Sequence, residues 1–222
     1  MAPVTVFPRI SIVPPRTAIY RRLGFRSDST RLSEAQRRET EAAIDAAADL
    51  IRLAGASRRL AVVERGPDRI VLDGGAVLAS RRLAVFLGAS REVLLMGATA
   101  GEAIMAAIRA DMAEGRTTRG VVLDATASEM TDTALDWITA VENRALRREG
   151  RVLLTARYSA GYGDLDLEHQ TIFHRLLELD RLGVSLTPSR ILLPEKSVTA
   201  ITGLREIAVE TPRDAATRNE PV

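Results

Sequence analysis

The chain has 222 residues, 46% of them hydrophobic, with 31 Lys and Arg against 29 Asp and Glu and a formal net charge of +2. This bounds it to one large or two small globular domains, and the pI near 9.5 reflects a slight Arg excess, with no basic stripe to suggest a nucleic-acid partner. Cysteine is absent and there are two histidines, which excludes disulfides, thiolate zinc sites and cysteine nucleophiles and predicts no metal centre.

Residues 1–15 (MAPVTVFPRISIVPP) carry apolar stretches broken by Pro and Arg and read as an N-terminal extension. No apolar run reaches the ~20 residues of a membrane span, so a soluble cytoplasmic protein with no membrane partner is expected. RTAIYRRLGF predicts a short helix. Ser33 followed by Gln36 has capping-box spacing and opens an Ala-rich helix running to about Gly55.

RLAVV (59–63) and RIVLD (69–73) predict two strands across the turn RGPD, and Ser80 is placed to cap a short helix, RRLAVFLG. EVLLMGA (92–98) predicts a strand and TAGEAIMAAIRADMAEG (99–115) a helix. GVVLDA (120–125) fits either a strand or the first turn of a helix, and Glu129–Glu149 is helical in period, with Ala134, Ile138, Val141 and Ala145 on one side. RVLLTAR is a predicted strand.

LEHQTIFHRLLELDRLG follows as a helix that should bury Ile172, Phe173, Leu176 and Leu177, and SRILLP and KSVTAITG resemble two strands of a hairpin. TPRDAATRNEPV is polar and without period, so 210–222 read as a disordered tail and 16–209 as one domain. Uneven alternation with hairpins favours an α+β fold, a mixed or antiparallel sheet with surrounding helices, over a doubly wound one.

Several motifs invite a chemical reading. LLMGATAGEA places a glycine turn between strand and helix, yet it lacks the phosphate-loop patterns, and a plain turn is the better account. His169 and His174, at i and i+5, do not share a helix face and suit packing roles better than acid–base chemistry. Asp164, Asp166 and Glu168 fit acids that complement a helix N-terminus. Asp132 and Asp136 stand one helical turn apart beside Trp137, a solvated face or an acidic group aimed at an ammonium.

RYSAGYGD, 157–164, is the most concentrated segment. It joins a fixed cation, Arg157, to a permissive glycine and two of the three tyrosines of the chain, Tyr158 and Tyr162. A ligand with both a carboxylate and a cation would suit it, as would an ordinary exit from a strand.

That segment resembles the R-x-x-x-G-Y signature of the activation (reactivation) domain of cobalamin-dependent methionine synthase, which binds S-adenosylmethionine. The order of later elements is similar too: a helix, GVSLT (183–187), and PEKSVTA (194–200) where the family has P-x-x-S-V-S-G. Upstream, GATAGEAI, the VLDATASEMTDTALDWI helix and RTAIYRRLGF are similar to elements of short stand-alone members.

The resemblance covers roughly 16–205 and is strongest over 151–203. It implies that Arg157 pairs with the ligand carboxylate, that Ala160 and Gly161 meet it through the main chain, that Tyr162 lies beside it, and that Asp132 holds its amino group. G-Y-P of the multidomain enzymes is here Gly161-Tyr162-Gly163, and the second Ser and the Gly of the later motif are replaced by Thr199 and Ala200.

What the resemblance implies is a cofactor-borne chemistry with no catalytic side chain: reductive methylation of cob(II)alamin using S-adenosylmethionine. The chain has neither D-x-H-x-x-G nor zinc thiolates, so cobalamin is expected on a partner, a corrinoid methyltransferase subunit. A flavodoxin or ferredoxin is expected as reductant, in a split methionine synthase system. The alternative is a docking or capping module for a corrinoid protein that no longer supports methyl transfer.

Overall fold

The computed structural model describes residues 2–26 and 30–207; the predicted tail, 210–222, lies outside the described residues. The expected α+β class is found. Strands β1 (Thr5–Phe7), β2 (Ala54–Arg65), β3 (Arg69–Leu72), β4 (Ala76–Ala79), β5 (Glu92–Thr99), β6 (Arg151–Leu153), β7 (Ser185–Leu186), β8 (Leu192–Leu193) and β9 (Ser197–Glu206) alternate with six α-helices. These are α1 (Arg16–Arg22), α2 (Glu34–Leu50), α3 (Arg81–Leu87), α4 (Glu102–Ala113), α5 (Thr117–Arg148) and α6 (Gln170–Leu177).

The main sheet runs β4-β3-β2-β5-β9-β6, and β1 pairs with β2 on the edge that β3 also uses. Every pairing in it is antiparallel. Alternation along β5 divides the interior in two. Leu94, Met96 and Ala98 face a core shared with α1, α2, α4 and α5, whereas Val93 and Leu95 face one built with α3 and α6. Phe173, fully buried in the second core, contributes on the order of 2–3 kcal/mol through the water it sheds.

Local signals held where their chemistry is short-range. Ser33 Oγ accepts from the Gln36 amide at 3.2 Å while Gln36 Oε1 accepts from the Ser33 amide at 2.9 Å, completing the capping box of α2. Ser80 Oγ caps α3 by accepting from the Leu83 amide at 2.9 Å.

Three expectations are corrected, and one left open, the state of GVVLDA, is decided. The Ala-rich helix ends at Leu50, because Gly55 is needed inside β2, where a side chain would meet Ile138 and the Gly97 carbonyl. GVVLDA is helix, an internal part of the 32-residue α5, with Val122, Leu123 and Ala125 packed inward. SRILLP and KSVTAITG do not pair: β8 pairs with β7, and β9 enters the main sheet between β5 and β6. The long helix after the RYSAGYGD loop is a 3-10 turn (Leu167–His169), then α6, then a second 3-10 turn (Leu179–Leu182). Glu178, at φ 52°, ends α6, and Ile172 is only half-buried while Phe173, Leu176 and Leu177 are buried.

Candidate functional site

β6 stops at Leu153, but its neighbour β9 continues past it. Only one bridge follows, between Tyr158 and Ile201, through Tyr158 N–H to the Ile201 carbonyl at 2.9 Å and the reverse bond at 2.8 Å. Beyond that bridge the outer edge of β9 opens onto a cleft of about 530 Å³. Antiparallel alternation turns the main-chain groups of Thr199 toward the side used by Ile201, so the edge presents an amide and a carbonyl there. The other walls are α5, through Asp132 and Leu135, the loop from Arg157 to Tyr162, Gln170 at the start of α6, and Leu192.

The RYSAGYGD loop is held from several sides. Gly161 N–H donates to the Leu165 carbonyl at 2.8 Å, and Leu165 N–H to that of Tyr162 at 3.0 Å. Gly161 and Gly163 take φ of 87° and 60°, a left-handed region that favours glycine. At Gly163 a side chain has no room, since a Cβ would lie 2.3 Å from the Tyr158 hydroxyl. The Tyr158 ring packs against Phe86 with centroids 5.8 Å apart.

Asp164 closes the loop onto a helix other than the one expected. It accepts from Ser80 Oγ and from the Arg82 amide, at 3.2 and 3.3 Å, at the N-terminus of α3. Those donors, Ser80 foremost, hold its carboxyl below the usual value.

The two histidines brace the following segment. The Ala79 N–H donates to His169 Nε2 at 3.0 Å while Nδ1 faces the Asp166 carbonyl, and His174 Nε2 lies 2.7 Å from the carbonyl of Val184.

Arg157, Ala160, Tyr162 and Asp132 share this cleft, with Tyr158 beside them. Gly161 lies in the loop between two of them but does not line it. The Arg157 side chain is 27% exposed, and its Nη1 donates to Asp136 Oδ1 at 2.7 Å, so α5 offers it a partner one turn beyond Asp132. Asp132 lies 3.4 Å from Arg22 Nη2, and Arg22 Nε also donates to Glu129 at 2.5 Å. Partial burial raises the Asp132 carboxyl; Arg22 and then Arg157 pull it back while Glu129 pushes it up. Tyr162 is 69% exposed, a ring standing at the mouth of the cleft.

Of the polar residues in the wall, Gln170 was not singled out from the sequence, whereas Ser197 and Thr199 belong to the PEKSVTA motif. Gln170 is 4% exposed and its Nε2 donates to Thr199 Oγ1 at 2.8 Å; Ser197 Oγ donates to Thr99 Oγ1 at 2.8 Å. A glutamine on the apolar side of a predicted amphipathic helix was the one available signal. Lys196, just before β9, is tied to Asp124 at 2.7 Å and to Ser128 Oγ at 2.9 Å, which fixes the strand against α5.

Among the described residues no cluster of three or more His, Cys, Asp or Glu is arranged to hold a metal, and no helix is long and apolar enough to cross a membrane. The cleft instead sets a cation and a carboxylate on neighbouring walls beside an aromatic ring and a free strand edge. That inventory matches a zwitterionic ligand with a planar part.

No protein-family profile matches the sequence, and no curated protein matches it. Among solved structures, the chain is similar to the crystal structure of the MetH reactivation domain bound to AdoHcy. The likeness has a TM-score of 0.62 at 15% identity and covers 83% of this chain and 71% of that one. The chain has the fold of that reactivation domain.

Proposed function

We propose that this protein binds S-adenosylmethionine in the cleft along β9 and serves as a reactivation protein for a separate corrinoid methyltransferase. The observation that carries the reading is the placement of Arg157 and Asp132 about one cleft, in a fold shared with a domain whose crystal structure holds AdoHcy. AdoHcy is S-adenosylmethionine without its transferable methyl group, so a cleft for one has the parts needed for the other.

The Arg157 fork meets the ligand carboxylate bidentately, a geometry that a guanidinium keeps at any physiological pH. Asp132 takes the ammonium. The main chain at Ala160 approaches closely because its side chain is small, Gly161 shapes the loop behind it, and Tyr162 presents a π-face that favours a sulfonium. In this reading the ligand held by these residues would supply a methyl group to cobalamin on the partner subunit, whose one-electron reduction a flavodoxin or ferredoxin would provide. This chain positions the donor and supplies no nucleophile.

Calorimetric titration with S-adenosylmethionine, wild type beside Arg157→Ala, tests the reading. Saturable binding that the substitution weakens by about 1.5–3 kcal/mol is expected, the scale of a charged hydrogen bond. Absence of binding by the wild type would favour a docking module for a corrinoid protein. The observation on that side is the segment from Pro194 to Ala200, where Lys196 is engaged with α5 instead of the cleft.

A further inference from the structure

The net charge of +2 hides an uneven distribution. Residues 16–38 contain seven arginines against Asp28 and Glu34, so the remainder of the chain is slightly acidic. α1 and the start of α2 carry most of these arginines. Between the two helices lies a second cleft of about 760 Å³, within the range of small-molecule sites and separate from the one along β9.

Its walls include Arg21, Arg26 and Arg37 together with the rings of Tyr20 and Phe25, whose centroids are 5.5 Å apart. Arg16 and Arg22, their neighbours in sequence, are committed: Arg16 to Glu41 and Asp45, Arg22 to Glu129 and Asp132. By contrast, Arg21, Arg26 and Arg37 have no carboxylate at ion-pair distance among the described residues.

Among the described residues the nearby acids do not compensate them. Glu41 is spent on Arg16 and on the Tyr20 hydroxyl, which donates to it at 2.8 Å. Burial, and then that hydrogen bond, push the Tyr20 phenol up to about 12, so the ring stays neutral beside an anion.

We infer that this α1–α2 cleft binds a nucleotide, with Arg21, Arg26 and Arg37 on its phosphates and the Tyr20–Phe25 pair against its base. Three guanidinium groups around one concavity, unpaired among the described residues, suit the several oxygens of a polyphosphate, which accept forked donors. A lone carboxylate would leave two of them idle. The adjacent rings give a planar base an apolar surface and a stacking face. A concave site lined by two rings favours such a compact ligand over a nucleic-acid strand, which needs a longer basic track.

The experiment is titration of the full chain with metal-free ATP at low ionic strength, beside inorganic triphosphate, adenosine and a single-stranded RNA series of increasing length. Saturable ATP binding is expected, with inorganic triphosphate several-fold weaker and adenosine undetected. Arg21→Gln/Arg26→Gln/Arg37→Gln should weaken ATP by about tenfold or more while the thermal transition is unchanged, because all three side chains are at the surface. Arg157→Ala should bind ATP as the wild type does, which separates this cleft from the one along β9.

Absence of ATP binding, or binding indifferent to the triple substitution, overturns the proposal. So does loss of ATP with Arg157→Ala, or equal affinity for inorganic triphosphate, which would remove the base from the site. Affinity that grows with RNA length would reassign the arginines to a nucleic-acid face.

Discussion

Two glycine turns in this chain invite a ligand, and they differ in what covers them. At residues 97–101 the chain passes from β5 into α4, and other segments seal the turn. The Ala100 N–H donates to the Lys196 carbonyl at 2.8 Å, its carbonyl accepts from the Arg52 amide at 2.9 Å, and Gly101 packs against the Arg52 main chain. At 157–164 the inner side is equally fixed, by Tyr158, Phe86 and Asp164, but the outer side meets an unpaired stretch of β9. A glycine turn becomes a candidate site through the strand edge left open beside it. The number of glycines decides nothing.

A methyl group added to each turn should have unequal effects. Gly163→Ala forces a left-handed residue at φ 60° and drives a Cβ to 2.3 Å from the Tyr158 hydroxyl and 3.1 Å from Arg82 Cδ. A loss of about 2–4 kcal/mol is expected from backbone strain and overpacking together. Gly101→Ala meets a different strain, a backbone at φ 82° and ψ 172° that glycine alone adopts readily, but its nearest contacts are ordinary at 3.4 Å, so about 1–3 kcal/mol is expected, without the overpacking part. Urea unfolding of both variants measures the difference. Equal losses would mean that Tyr158 does not fix the loop.

The pH dependence of binding bears on the open turn, whose cleft is lined by the Asp132 carboxylate. Partial burial raises the Asp132 carboxyl above the ordinary aspartate value, partly offset by Arg22. A bound ammonium favours the carboxylate and draws that value down, so a proton is released wherever the free protein holds one. Affinity for S-adenosylmethionine is therefore full above the raised pKa and falls as the pH drops through it, by at most about tenfold per unit. Asp132→Asn should flatten this arm and cost about 1–2 kcal/mol at neutral pH. A wild-type affinity independent of pH in the acidic range would remove Asp132 from the site.

How much of this was legible in the sequence follows from the range of each interaction. The capping box at Ser33 and the cap at Ser80 span three residues, and both were read from the chain alone. The RYSAGYGD segment drew attention because its unusual residue types are contiguous. The strand edge beside it was invisible: it exists because β6 is three residues long and β9 is ten, a comparison across 50 residues of chain.

Asp164 was expected to serve the helix that follows it, the local choice. It serves α3 instead, more than 80 residues earlier, because the loop folds back on Ser80. The hairpin expected of SRILLP and KSVTAITG failed for a related reason. Both are β-prone, but the apolar faces of β9 are claimed by β5 and by the two cores, and β8 keeps only the two-residue partner β7. The pairing of Arg157 with Asp136 was the other blind spot. The sequence placed two aspartates one turn apart on α5 and offered no means of choosing between them.

That choice leads to the smallest effect and the most discriminating one. Arg157 donates to Asp136, whose side chain is 69% exposed, and the pair is worth no more than about 1 kcal/mol to the fold. Its consequence for binding is larger in kind. A guanidinium has five donors in a fixed fork, so a ligand carboxylate must share that fork with Asp136 or displace it. Both carboxylates are anionic, and each weakens the hold of Arg157 on the other. Asp136→Asn keeps the size of the side chain and removes the rival charge.

Affinity for S-adenosylmethionine should then rise about two- to fivefold, with thermal stability moving by no more than a fraction of 1 kcal/mol. Titration of the variant beside the wild type decides the matter. A fall in affinity would show that Asp136 stands on the ligand's side of the cleft, holding its ammonium together with Asp132. Unchanged affinity would place the ligand carboxylate out of reach of the Asp136 charge.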